Sequence, residues 1–123
     1  MISNFNQEEI KEEWKTIPTN KKYEVSNYGK VRNKDGGNIL QPYYTSGYAK
    51  IKIGETHYSI SRLVAALFLG MDAYADDLCV HHINRNQSDN RVTNLQVLTN
   101  TEHMRQHKDY NRVRAEIKRA WQL

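Results

Sequence analysis

The stretch CVHHINRNQSDNRVTNLQVLTNTEHMRQH, residues 79–107, decides how the chain is organised, because it holds four of the five histidines. His81 and His82 are adjacent in a segment that predicts a strand, so their side chains point to opposite faces and only one can enter a given site. His103 and His107 are spaced i, i+4, which would stack them on one helix face about 6 Å apart along the axis. This pattern predicts a helical two-histidine chelate beside a strand.

The residues around these histidines predict a strand, a loop, a second strand and a helix. Residues 78–83 and 95–98 predict strands joined by a polar loop, and Thr99 followed by Glu102 predicts a capping box that starts a long helix. An apolar stripe continues from His107, so the histidines should face the domain. The stripe consists of Tyr110, Val113, Ile117 and Trp121, and the cations Arg105, Lys108, Arg112, Lys118 and Arg119 lie elsewhere around the helix.

The first half of the chain predicts a small β-module. QEEIKEEW, residues 7–14, predicts a short helix that Pro18 stops. Residues 23–37 predict a hairpin or meander, because apolar and polar residues alternate between two turn signals. Residues 48–53 predict a strand with Ile51 and Ile53 on one face and lysines on the other, and residues 57–60 predict its partner.

A core helix should follow the β-module. Residues 62–69 are apolar nearly all round, with Ser59 or Ser61 as the cap and Gly70 at the end. The acidic loop after it, with Asp72, Asp76 and Asp77, has the residues to chelate a cation but reads more simply as a solvated connector. His57 is far in sequence from the other four histidines, and we predict that it is a surface or packing residue.

Composition limits the class of protein. A chain of 123 residues predicts one compact domain, and a formal net charge of +4 favours a polyanionic partner. A single cysteine excludes an internal disulfide, the N-terminus lacks the pattern of a secretory signal, and no stretch approaches the roughly 20 apolar residues that span a bilayer. These features predict a soluble, reduced, cytoplasmic protein.

The chain resembles a known family in five segments. Residues 80–84 (VHHIN), 90–95 (NRVTNL) and 101–103 (TEH) are similar to the HNH nuclease motif of phage and intron homing endonucleases, which has the ββα-metal fold. Residues 23–32 (YEVSNYGKVR), with the preceding Trp14 and Ile17, resemble the nuclease-associated module found before HNH domains. Residues 62–65 (RLVA), with Phe68, resemble the helix that precedes the motif, although Ser61 stands where the family usually has a histidine.

The resemblance implies a role for each residue of the motif. His81 would be a metal ligand and His82 the general base that takes a proton from the attacking water. Asn94 would pin the loop between the strands, and these three residues form the predicted catalytic set. His103 and His107 would be the further metal ligands. The division is chemically reasonable, because a neutral imidazole can accept a proton at physiological pH whereas a metal-bound one has no free lone pair.

We therefore predict an α+β protein with a small N-terminal β-module and core helix in residues 1–70, followed by a ββα-metal (HNH) motif with an extended helix in residues 71–123. The predicted activity is metal-dependent DNA endonuclease, with Mg²⁺, Mn²⁺, Ni²⁺ or Zn²⁺ as cofactor, DNA as partner, and neither a membrane nor a small-molecule substrate. The predicted DNA-contacting cations are Lys30, Lys50, Lys52, Arg32, Arg85, Arg91 and Arg105. Tyrosines are interleaved with several of these cations, which favours phosphate contacts with added sugar or base contacts.

An alternative of a different class stays open at this point. Cys79, His81, His103 and His107 supply four acceptable tetrahedral ligands for a structural zinc ion. A closed site of that kind would leave no position for a phosphate, so the protein would then be a non-catalytic DNA-binding module.

Overall fold

A computed structural model of the chain describes residues 10–72, 75–102 and 104–105. Within these ranges the chain forms three antiparallel sheets, one helix between them and the start of a second helix, which confirms the predicted α+β class. The strands are β1 (Trp14–Ile17), β2 (Asn20–Ser26), β3 (Val31–Asn33), β4 (Tyr43–Thr45), β5 (Tyr48–Ile53), β6 (Thr56–Ser59), β7 (Leu78–His82) and β8 (Leu95–Thr99). Helix α1 spans Ile60–Phe68, and a 3₁₀ turn spans Val92–Asn94.

The first sheet, ordered β1-β2-β3, contains one correction to the sequence prediction. The predicted helix over residues 7–14 is wrong in its described part, because residues 10–13 are not helical and Trp14 begins β1, opposite Ser26. Strand β1, which starts at Trp14, pairs with β2 and buries Ile17 to 1% exposure, and the guanidinium carbon of Arg32 lies 3.8 Å from the centre of the Trp14 ring. Strand pairing and burial outweigh the weak helix preference of an acidic, lysine-containing segment.

The second sheet, ordered β4-β5-β6, agrees with the predicted alternation. Ile51 and Ile53 of β5 are buried, whereas Lys50 is half-buried and Lys52 is exposed on the other face. His57 lies exposed on β6, where its Nδ1 is 2.6 Å from the hydroxyl of Tyr43, as expected for a surface packing residue.

Helix α1 lies against all three sheets and closes the core. The helix was predicted over residues 62–69, so it starts two residues earlier and ends one residue earlier than predicted. Ser59 is the N-cap, and its side chain accepts a hydrogen bond from the amide of Arg62. Val64 and Ala65 are fully buried. The core cluster consists of Ile17, Val25, Val31, Ala49, Ile51, Ile53, Ile60, Val64 and Leu95. Because these residues come from both halves of the chain, the division into 1–70 and 71–123 stays a prediction.

The third sheet is the two-stranded β7-β8 pair, in which His82 faces Leu95 and His81 faces Gln96. The capping box is confirmed: the amide of Glu102 donates to Thr99 Oγ1, and the amide of Thr99 donates to Glu102 Oε1. Helical residues begin at Asn100, and the predicted course of this helix towards Trp121 lies outside the described residues. No helix in the described part of the chain has the length and apolar character needed to cross a membrane.

Candidate active site

Two adjacent histidines at the end of β7 have different environments, as the alternation of a strand requires. His82 is buried at 5% exposure, and its Nε2 lies 2.8 Å from Oδ1 of Asn90, which is buried at 6%. The ring of Tyr48, at the start of β5, lies 6.1 Å from the His82 ring. His81 points to the opposite face and is half-buried.

The contact with Asn90 defines the tautomer of His82. An amide oxygen can only accept a hydrogen bond, so the 2.8 Å contact favours the tautomer with hydrogen on Nε2. The lone pair of the neutral ring is then on Nδ1, which is the atom able to take a proton. The sequence analysis included Asn90 in the motif segment 90–95 but assigned it no role.

Asn94 holds the two ends of the β7-β8 loop together. Its Oδ1 accepts from the amide of Asn84 at 2.9 Å, and its Nδ2 donates to Oδ1 of Asn84 and to the carbonyl of Asp89, both at 2.9 Å. Its carbonyl accepts from the amide of Ile83 at 2.8 Å. Since Asn94 is itself buried at 6%, the loop that carries Asn90 has little freedom at its base.

A bidentate ion pair stabilises the same loop. Arg91 donates through Nε and Nη2 to the two carboxylate oxygens of Asp89, at 2.8 and 2.7 Å, and Asn84 Nδ2 donates to Oδ2 at 3.0 Å. The Arg91 hydrogen bonds hold the pKa of Asp89 below its ordinary value, and the carboxylate raises the pKa of Arg91 in turn.

The predicted metal ligands are only partly covered by the structure. His81 is described, whereas His103 and His107 lie outside the described residues, and no group of three metal-ligating side chains occurs within residues 10–72, 75–102 and 104–105. Imidazole suits zinc, copper, iron and nickel, so the donor chemistry of His81 fits a divalent cation. His81 lies on the face of β7 opposite His82, away from the proposed base. Hydrogen bonds from Thr99 hold the pKa of Glu102 below its ordinary value at the start of the helix.

Cys79 and the acidic loop have structural partners where the chain is described. Cys79 shares the strand face of His81, and its thiol donates to Oδ1 of Asn100 at 2.6 Å. Asn100 also donates to the carbonyls of Asp76 and Asp77, at 2.9 Å each, which joins the acidic loop to the start of the helix. These contacts agree with a connector role for that loop.

Two family matches cover most of the chain. Residues 12–54 match the NUMOD4 motif, and residues 58–105 match the HNH endonuclease family, with the paired histidines and the loop asparagines inside the second match. The chain therefore carries an HNH endonuclease motif preceded by a NUMOD4 motif.

Similar proteins agree with this assignment. Two uncharacterised HNH endonucleases of Acanthamoeba polyphaga mimivirus are 33% and 31% identical over 117 and 98 residues, which are 89% and 76% of this chain. The chain spans 29% of the length of each of these curated relatives. The solved structure of the HNH homing endonuclease I-HmuI, described in terms of DNA binding and cleavage, superposes with a TM-score of 0.67 at 28% identity over 80% of this chain and 59% of that one.

The predicted DNA-contacting cations of this HNH protein fall into three groups. Arg32 is paired with Glu24 at 2.7 Å and Arg91 with Asp89, so part of their charge is already compensated. Arg85 and Arg105 are exposed. Within the described ranges the three lysines of the set, Lys30, Lys50 and Lys52, make no ion pair. Contact of each of the seven cations with DNA stays a prediction.

A groove that sequence reasoning did not find lies between the second sheet and β7. Its volume is about 460 Å³, and its polar lining includes Ser46, Tyr48, Lys50, Ser61 and Arg62. Arg62 donates to the carbonyls of Leu78 and Ala75, at 3.1 and 3.2 Å, which fixes the start of β7 against α1. Tyr48 lines this groove, and its ring lies 6.1 Å from that of His82, so the groove and the buried histidine share a neighbour.

Proposed function

We propose that this HNH protein is a metal-dependent DNA endonuclease of the homing type that hydrolyses phosphodiester bonds to 5′-phosphate and 3′-hydroxyl ends. The observation that carries the proposal is the buried His82, whose Nε2–H is engaged by Asn90. A histidine held in this way presents a defined lone pair, as a general base must. The alternative with a structural zinc gives the buried His82 no chemical role.

His82 is the general base in this proposal. Its Nδ1 accepts the proton of the attacking water, and the hydrogen bond to Asn90 orients the ring and stabilises the imidazolium that forms. Asn94 acts through the loop: by closing residues 83–94 at their base it keeps Asn90 at the correct distance from His82.

His81, His103 and His107 would hold the divalent cation. When bound there, the cation supplies Lewis-acid stabilisation of the charge that develops on the phosphate and the leaving 3′ oxygen. Mg²⁺, Mn²⁺, Ni²⁺ and Zn²⁺ are the candidates, and an all-histidine ligand set favours Zn²⁺, Ni²⁺ or Mn²⁺ over Mg²⁺, which prefers oxygen ligands.

DNA would bind along the second sheet and the groove beside it. Lys50 lines the groove, Lys52 is exposed on the same strand, and Tyr43, Tyr44 and Tyr48 are exposed around them. Cations position phosphates, and aromatic rings contact sugars or bases. A phosphate in this groove would place the next bond of the strand near His82, because Tyr48 adjoins both.

The test of this function is cleavage of supercoiled plasmid by the purified protein. The chain is incubated with plasmid and Mg²⁺, Mn²⁺, Ni²⁺ or Zn²⁺, with EDTA and His82→Ala as controls. We expect conversion to nicked or linear plasmid with at least one of these cations and none with EDTA or His82→Ala. Tight plasmid binding without conversion under every condition would instead favour the DNA-binding module with structural zinc. The relatives are viral, so we propose a viral gene whose product acts in the host cytoplasm.

A further inference from the structure

We propose that the turn at residues 26–30 of the N-terminal module is a positioning device for the general base, acting on His82 through Asn90. The inference rests on the proposed role of His82. It gives the NUMOD4 segment a function inside the active site, besides the DNA contact predicted for its cations.

The closest approach between the turn and the β7-β8 loop is at Gly29. A Cβ added to Gly29 would lie 2.9 Å from both Cβ and the carbonyl oxygen of Asn90. Backbone atoms cannot move aside as the end of a flexible side chain can, so only glycine fits. Gly29 also has φ +84°, a conformation that disfavours any other residue. Asn90 therefore rests directly on the turn while its Oδ1 contacts His82 at 2.8 Å.

A hydrogen bond fixes the same two segments to each other. The amide of Val92, two residues after Asn90, donates to the carbonyl of Asn27 at 2.8 Å. Asn27 is buried, and its side chain is held at both ends: Oδ1 accepts from the amide of Glu13, and Nδ2 donates to the carbonyl of Lys11. The carbonyl that accepts from Val92 thus belongs to a buried residue whose side chain is held by two hydrogen bonds.

The turn itself is rigid. Ser26 is fully buried, its Oγ accepts from the amides of Tyr28 and Lys30, and its backbone pairs with Lys30 and Gly29. The contact of Gly29 with Asn90 and the hydrogen bond from Val92 to Asn27 therefore hold the β7-β8 loop against this turn. A shift of Asn90 by a fraction of an ångström would lengthen the contact with His82 Nε2 and release the ring to its other tautomer. Misplacement of about 1 Å can cost around 10²-fold in rate.

The chain offers a matched pair of glycines for the test. Gly29 and Gly36 both have φ +84°, but a Cβ at Gly36 would have nothing within 4 Å. Gly29→Ala therefore adds backbone strain and a collision with Asn90, whereas Gly36→Ala adds the strain alone. Asn90→Ala removes the contact with His82 directly and serves as the second variant if Gly29→Ala does not fold.

Three quantities are measured on the full chain: the plasmid cleavage rate at saturating cation, the affinity for plasmid, and the His82 tautomer from ¹⁵N–¹H correlation spectra of histidine-labelled protein. The His82 signal is assigned by its loss in His82→Ala. We expect Gly29→Ala and Asn90→Ala to cleave at least about tenfold more slowly than Gly36→Ala, with unchanged plasmid affinity. The parent and Gly36→Ala should show hydrogen on Nε2, and the other two variants a mixture of tautomers.

The outcomes separate this proposal from the proposed function. If His82→Ala is inactive but Gly29→Ala and Asn90→Ala cleave as fast as Gly36→Ala, the positioning role is wrong and the base assignment stands. If His82→Ala cleaves like the parent, the base assignment is wrong. The effect of the turn on the His82 ring is then tested only by the tautomer measured in the spectra. A parent ring protonated on Nδ1, or a tautomer unchanged in Asn90→Ala, overturns it.

Discussion

At the scale of single residues, His81 and His82 are a natural pair of matched variants, because neighbours of the same type have opposite orientations and different proposed roles. We expect His82→Ala to reduce cleavage at saturating cation by at least about 10²-fold while its cation affinity stays near that of the parent. His81→Ala should weaken cation binding instead. Plasmid cleavage and calorimetric cation titration check both. Stoichiometric loss of the cation in His82→Ala would mean that the two roles are reversed.

The proposed helical ligands give a second prediction at this scale. We expect His107→Ala and His103→Ala each to weaken Mn²⁺ or Zn²⁺ binding at neutral pH by at least about tenfold, the size of effect seen even for residues that only orient ligands. Both residues lie outside the described ranges, so this prediction rests on their i, i+4 spacing and on the family resemblance. His57→Ala is the control, because His57 contacts Tyr43 at the surface. Parent-like affinity in His107→Ala would leave only His81 and His103 as ligands.

The sequence predicted the histidines of the site but not the group that orients the base. The adjacent histidines on a strand and the i, i+4 histidines could both be predicted from their spacing in the sequence. Asn90 acts across a loop, eight residues from His82, and no periodicity links two positions of that kind. Its importance is visible only once the loop has been folded back by Asn94.

At the scale of elements, the β7-β8 loop should have acid-sensitive stability. Asp89 has a pKa below its ordinary value, so its ionised form stabilises the folded state fully above the unfolded pKa of about 3.9 and loses that effect as the pH falls through the folded value. We expect Asp89→Asn to lower the free energy of unfolding by roughly 1 kcal/mol at pH 6 and by much less near pH 3. Urea unfolding at the two pH values measures this. The control is Asp35→Asn, because Asp35 lies on an exposed turn and is in no ion pair among the described residues. An equal loss of unfolding free energy at both pH values in Asp89→Asn would contradict the prediction.

The elements also show where local sequence patterns were sufficient. Alternation located β5 and its buried isoleucines, and the Thr99 and Glu102 capping signal located the start of the last helix. The segment before Pro18 was misread because its i, i+4 apolar pair, Ile10 and Trp14, suits a helix. Trp14 instead begins β1, which pairs with β2 in a hairpin that turns at Pro18 and Thr19, and Pro18 suits this turn as well as it suits the end of a helix.

At the scale of the whole molecule, a net charge of +4 and a surface with uncompensated lysines predict salt-dependent DNA binding. Each phosphate contact contributes a slope of about −0.9 to the logarithm of affinity against the logarithm of salt concentration. If Lys50 and Lys52 each contact a phosphate, the double variant Lys50→Gln/Lys52→Gln should flatten the slope by about 2. Lys21→Gln/Lys22→Gln removes the same charge from another part of the surface and should leave the slope unchanged.

The measurement is fluorescence anisotropy with a labelled duplex, from low to moderate salt, in the presence of EDTA so that no strand is cut. The matched net charge of the two double variants separates local phosphate contact from general attraction between a basic protein and DNA. Equal slopes in the two double variants would mean that Lys50 and Lys52 of β5 do not contact DNA phosphates. A flattened slope in Lys50→Gln/Lys52→Gln alone would place phosphates along β5, where Lys50 lines the same groove as Tyr48, whose ring lies 6.1 Å from that of His82.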